Sequence, residues 1–303
     1  MTKSARTVRS LLCTLVSFLM SLFVVLTVLC LTLSATVLNP AFAVRVLARS
    51  QFSEALCGEL REEFVSYGNA CNIDESFFDG VFGTDITPES IDADASAALR
   101  RFYAGSVERD PAVTEALQSA LLTKLQAYAV EQGFTLDDTV NENLQTIASE
   151  LCTLYDAYAG VFSASYFATA AQLLARYSPY ALYAAAAGAA GFAVCAVILR
   201  LFFTKRRSCL RFFIYAFSAA ALMLLAAPAA GLALGAADRV NISLLSLYDF
   251  VTGFLNAAML SVLLSALVPA LVTALLAFAR RSGKAPKAEA EPPQPEGGRE
   301  SGG

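Results

Sequence analysis

The chain has 303 residues, 56% of them hydrophobic and only 16% charged, with a formal net charge of −4 and neither histidine nor tryptophan. A soluble domain holds about 45–50% apolar and about 25% charged residues, so this composition excludes an ordinary soluble protein and points first to membrane spans. The missing histidine removes the commonest general base and metal ligand.

Runs without any Asp, Glu, Lys or Arg cover residues 10–44, 177–199, 212–237 and 250–279. Each reaches the roughly 20 apolar residues that a bilayer crossing needs. Lys3, Arg6, Arg9, Arg200, Lys205, Arg206, Arg207, Arg211, Arg280, Arg281, Lys284 and Lys287 flank these runs on one side. Only Arg45, Arg49, Arg176 and Arg239 flank them on the other. Positive residues stay inside, which predicts both termini and the 200–211 loop in the cytoplasm. Lys205, Arg206, Arg207, Arg211, Arg280 and Arg281 are the expected topology anchors.

Ala41-Phe42-Ala43 has the small-x-small form of a signal-peptidase site. A removable leader carries an apolar core of about 7–15 residues. Here the uncharged core runs over 11–38, long enough to span with some tilt. That length favours a retained anchor; cleavage after Ala43 would leave three spans in the same orientation.

Residues 41–67 place Phe52, Leu56, Leu60 and Phe64 four apart, one face of a helix, with Gly68-Asn69 as its stop. Asp74 is placed to cap a short helix through Phe77, Phe78 and Val81. Thr87-Pro88-Glu89 and Asp110-Pro111 are helix starts: a side-chain oxygen at the cap, then proline at the first helical position. Gly133 ends the second of these helices. Thr139 with Glu142 fits a capping box. Behind it, Val140, Leu144, Ile147, Leu151, Leu154 and Tyr158 form a heptad stripe expected to run on toward Tyr177, where Ser178-Pro179 begins the second span. The first domain helix is expected to continue from span one and the last to feed span two, a route for passing a shift inward.

Cys57, Cys71 and Cys152 are external, and buried thiols are as good a reading as any bridge. Acidic residues outnumber basic ones over 39–178, which argues against nucleic acid as a partner. Solvation of helix faces accounts for them more simply than a cation site at Asp74, Glu75 and Asp79 or at Asp137-Asp138 does. Lys124 is the lone external lysine, and Ser119 lies off its helix face. No nucleophile, cofactor or metal motif is present. The spans carry no Asp, Glu, Lys or Arg, which disfavours a pump. They do carry small-residue pairs, Ala184 with Gly188, Ala187 with Gly191, and Ala227 with Gly231 and Gly235, which suit close helix packing.

Asn39-Pro40-Ala41-Phe42, Asp74-Glu75-Ser76-Phe77-Phe78 and Thr87-Pro88-Glu89 together resemble a group of functionally uncharacterised four-span membrane proteins of Gram-positive bacteria. The resemblance covers the first hundred residues and the general layout, and it implies that span one is retained. It implies no activity.

The expected fold is all-α: an integral membrane protein with four transmembrane helices and a helical extracytoplasmic domain inserted between the first two. The expected layout is a cytoplasmic N-terminus (1–9), span one (10–38), the acidic external domain (39–178), span two (179–199) and a basic cytoplasmic loop (200–211). Span three (212–237), a short external loop (238–249), span four (250–279) and a disordered cytoplasmic tail (280–303) follow. The expected function is non-catalytic and without cofactor: interaction, sensing or scaffolding in the cell envelope, with the lipid bilayer and a protein partner as the interactions to look for. The alternatives are an oligomeric channel or transporter accessory with Asn256, Ser261, Ser265 and Thr273 facing a pore, and, less favoured, a membrane enzyme using external carboxylates.

Overall fold

The computed structural model describes residues 3–202 and 206–282, and every regular element among them is helical. Four helical stretches are long and apolar enough to cross a membrane: Leu11–Ala35, Ala168–Phe202, Cys209–Ala233 and Leu245–Arg281. Lys205 and residues 283–303 of the expected disordered tail lie outside the described residues, whereas residues 280–282 of that tail are helical.

Helix α1 (Lys3–Ala35) packs between α8 (Ala168–Phe202) and α9 (Arg206–Ala233). Its Thr27 and Thr32 hydroxyls, and that of Thr36 just past its end, donate to carbonyls one turn back, at 2.7–2.8 Å. A polar side chain in an apolar span needs such a partner. Helix α9 also packs on α10 (Leu245–Ser265) and α11 (Leu267–Ser282). Span four is therefore not one rod. It breaks at Ala266, three residues before Pro269, because proline supplies no N–H to the Ser265 carbonyl and its ring crowds it.

The domain between spans one and two is not continuous with either, contrary to the sequence expectation. Helix α1 stops at Ala35, and Asn39 starts α2 (Pro40–Arg49) by accepting the Ala41 N–H at 2.9 Å, with Pro40 at the first position. The expected 41–67 helix is itself split. Gln51 adopts φ 53 and separates α2 from α3 (Phe52–Ala70). Gly68 does not stop α3. It lies buried inside the helix, and Asn72, at φ 56, turns the chain instead. At the far end α7 (Asp138–Ala159) stops at Gly160, followed by two 3₁₀ turns, Val161–Ser163 and Ser165–Phe167. Helix α8 then runs unbroken through Pro179. Proline's fixed φ fits a helix, and a span tolerates the one lost hydrogen bond.

The punctuation between these ends follows the sequence closely. Asp74 caps α4 (Glu75–Thr84), Asp110 caps α6 (Pro111–Glu131), and Thr87 with Ser90 forms a reciprocal capping box on α5 (Pro88–Tyr103). Helix α7 differs from the expectation. Asp137, not Thr139, caps it by accepting the Val140 N–H at 2.8 Å. A carboxylate at a helix N-terminus is favoured by charge as well as by hydrogen bonding.

The stripe of Phe52, Leu56, Leu60 and Phe64 is fully buried and forms the spine of the core. Phe78, Ile91, Leu121, Leu125 and Leu151 close around it from α4 to α7. Phe250 of α10 belongs to the same core. The domain therefore shares its hydrophobic interior with the fourth span.

Lys124 of α6 pairs with Asp85 and donates to the Gly80 carbonyl at 2.9 Å, so it binds the C-terminal end of α4. Arg61 of α3 holds Glu75 at 2.9 Å and Asp79 at 2.7 Å. Arg109 sits between Asp94 and Asp156 with its guanidinium 5.1 Å from the Tyr155 ring centroid, and the Tyr155 hydroxyl donates to Asp94 at 2.7 Å. This cluster fastens the α5–α6 connection to α7.

Candidate functional site

A pocket of about 790 Å³ opens where the domain meets the start of α10. Ala43 of α2, Phe102 and Tyr103 of α5, and Tyr158 of α7 line it from the domain side. Leu247, Val251 and Phe254 line it from α10, and Asn241 to Leu244 close one end. No Asp, Glu, Lys or Arg is in the lining.

Phe102, Tyr103, Tyr158, Phe162, Phe167, Phe250 and Phe254 make much of the wall, and Phe42 and Phe52 contact the rings of Phe162, Phe250 and Phe254 without lining it themselves. Ring centroids are 5.8 Å apart for Phe52–Phe162, 5.4 Å for Phe162–Phe250, 6.0 Å for Phe250–Phe254 and 5.7 Å for Phe42–Phe254. Edge-to-face and tilted arrangements of this kind add to simple area burial. The Tyr103 hydroxyl donates to the Val37 carbonyl at 2.8 Å, tying the pocket floor to the loop that leaves span one.

One acidic residue fixes the junction. Leu244 occupies the N-cap of α10 and has no side-chain oxygen to offer. Glu59 of α3 supplies it from across the fold: its carboxylate accepts the Ser246 N–H at 3.1 Å and the Ser246 hydroxyl at 2.7 Å. Ser246 is fully buried. Charge-assisted bonds to otherwise orphaned helix donors are among the stronger ones. Glu59→Ala is expected to cost about 1–3 kcal/mol. It should raise amide hydrogen exchange over residues 244–249, with Glu59→Gln intermediate because one acceptor oxygen remains.

Burial pushes the Tyr103 phenol from its ordinary 10.0 up to about 12. Burial, then the Asp156 carboxylate, pushes the Cys152 thiol from 9.0 up to about 11, against a smaller opposing pull from Arg109. In both cases the folded chain keeps a proton that the unfolded chain has already lost. Stability is thus undiminished below about pH 9 and falls as pH rises toward the folded values. The expected thermal midpoint is level from about pH 7 to 9 and declines above that. Tyr103→Phe should show a lower midpoint, from the lost hydrogen bond, and a shallower alkaline decline.

The residues singled out from the sequence lie elsewhere. A Cβ on Gly188 would come within 2.6 Å of Thr27 Oγ1, and one on Gly191 within 2.6 Å of the Phe23 ring, so both sit in the α1–α8 contact. A Cβ on Gly231 would meet Met259 Sδ of α10 at 2.7 Å. Ala227 is exposed on α9, and Gly235 is in the following turn at φ +58. Arg211 donates from Nε to the Tyr215 hydroxyl at 2.7 Å. Arg280 and Arg281 are exposed in the last turn of α11, and Arg206 and Arg207 open α9. The hydroxyls of Ser261, Ser265 and Thr273 donate to carbonyls of their own helices, leaving Asn256 as the exposed polar side chain of that set.

Asp74, Glu75 and Asp79 are engaged as a helix cap and as partners of Arg61. Among the described residues no group of three or more His, Cys, Asp or Glu could hold a metal ion. Cys57, Cys71 and Cys152 are thiols. The pocket residues were not visible to sequence reasoning. The closest cue was the aromatic cluster around 162–167, where the heptad stripe gives out.

No protein-family model, curated protein or solved structure matches this chain.

Proposed function

We propose that this is a non-catalytic protein of a bacterial cell membrane, with both termini in the cytoplasm and the helical domain outside. It senses or scaffolds by binding an apolar ligand between that domain and the fourth span. The carrying observation is the shared pocket: α2, α5 and α7 form one wall and α10 the other. A ligand there touches both bodies at once, so occupancy changes how α10 sits against the domain. This side contact replaces the end-to-end helix continuity that the sequence suggested.

The orientation rests on the basic flanks, and the limits of the second span have support of their own. Tyr177, Tyr180 and Tyr183 form an exposed ladder on α8, with centroids 6.0 and 6.2 Å apart. Tyrosine gathers at membrane–water boundaries. From Tyr180 to Arg200 the helix rises about 30 Å, the thickness of a hydrocarbon core. The domain then lies on the tyrosine side and the basic loop on the other.

An impermeant maleimide tests the orientation in intact cells. Glu131→Cys, at the exposed end of α6, should label directly. Arg281→Cys should label only after permeabilisation. The reverse pattern overturns the reading.

A further inference from the structure

We propose that the pocket takes the acyl chain of a membrane lipid from the leaflet on the domain's side, with the headgroup at the Asn241–Ser243 edge. The inference rests on the reading above that this pocket is the ligand site.

The lining fits a chain and little else. A charged ligand group would lie against walls without a counter-charge, and burying it so is prohibitive. Water fares poorly too, since it needs two to four polar partners and most of the wall offers none. The Tyr103 hydroxyl, one of the few polar groups present, is already engaged with Val37.

Shape and direction agree with this. Leu244, Leu247, Val251 and Phe254 follow one face of α10 from its N-terminus, a wall about 15 Å long at helical rise. Asn241 and Ser243 are exposed at its water-side end, and Phe254 lies toward the bilayer. Polar groups above and apolar wall below is the order of a lipid in its own leaflet.

Position supplies the route. The pocket is tied through Tyr103 to Val37, just past the end of α1, so it stands at the level where span one leaves the bilayer. A chain reaches it by lateral movement without crossing water. It gains nothing from the hydrophobic effect in leaving one apolar medium for another. What it gains is packing against the apolar walls of a pocket of about 790 Å³.

The test uses the full chain in nanodiscs of phosphatidylethanolamine and phosphatidylglycerol. A fraction of the phosphatidylethanolamine carries a mid-chain diazirine. After irradiation, adducts should concentrate on residues 247–254 and on Phe162 and Phe167. Val251→Trp, which fills the pocket from α10, should lower those adducts at least fivefold and leave adducts on exposed Leu271 and Leu275 of α11 unchanged. Leu247→Trp should act the same way, and unchanged thermal midpoints would show that both variants fold. Pocket adducts no denser than those on α11, or insensitive to both variants, overturn the inference. Native mass spectrometry of the same samples separates the two claims. A retained non-lipid mass lost in Val251→Trp overturns the acyl chain and leaves the pocket reading standing. No adduct and no retained mass overturn both.

Discussion

Phe52→Ala is expected to destabilise the helical domain by about 3–5 kcal/mol, the largest loss of any single truncation considered. Phe52 is fully buried and begins α3 directly after the Gln51 break. Its ring meets Phe162 at 5.8 Å and Phe250 at 6.2 Å, so it joins the domain, the α7–α8 connection and the fourth span. Truncation leaves a cavity at that three-way junction. Neighbours on three separate elements cannot all relax into it, which puts the cost at the upper end of the range. Pulse proteolysis in nanodiscs would measure the domain's unfolding free energy. Phe134→Ala is the control: Phe134 is 61% exposed, and its loss should stay within about 0.5 kcal/mol. Equal effects at the two positions would mean that the shared core does not hold the domain.

Gly188→Leu is expected to separate α1 from α8, at about 3 kcal/mol, the upper range for overpacking. A Cβ there would stand 2.6 Å from Thr27 Oγ1, 3.2 Å from the Phe23 carbonyl oxygen and 3.3 Å from the Thr27 nitrogen. Two of these are backbone atoms and cannot rotate away, so the helices must part. In lipid no hydrophobic force restores the contact. Gly191→Leu should cost less, because the first atoms met belong to the Phe23 ring, which can swing aside. Gly58→Ala should do the opposite. Nothing lies within 4 Å of a Cβ there, and alanine in a helix interior is better than glycine by roughly 0.5–1 kcal/mol. Steric trapping or thermal unfolding in bicelles would rank the three. A Gly188→Leu midpoint equal to wild type would show that this contact does not stabilise the span pair.

Much of the fold was legible because its signals are local. The apolar runs coincide with the four helical stretches long and apolar enough to cross a membrane, and the Phe52–Phe64 stripe is the spine of the core. Asp74, Thr87 and Asp110 cap the helices they were expected to cap. What went astray was continuity. Nothing local distinguishes Gln51 as a residue with positive φ, and Gly160 resembles any helix-end glycine. Asn39-Pro40 reads equally as a leader's end, a bend or a cap. As a helix start it caps α2, and the choice between bend and cap depends on where α2 must lie to cover α10.

The candidate site was illegible for the same reason. Its walls come from residues near 43, 102, 158, 162 and 250, and no spacing rule links them. Glu59 looked like one more solvated acid until the fold brought it to Ser246, 187 residues away.

The sequence by itself determined composition class, spans, helix starts and the buried face of α3, because each rests on interactions within a turn or two. The tertiary structure decided that the domain is built onto the fourth span, that Phe250 completes its core and that an uncharged pocket lies between them. Those outcomes depend on packing between distant segments, where burial is settled by the shape of the whole and not by any local pattern.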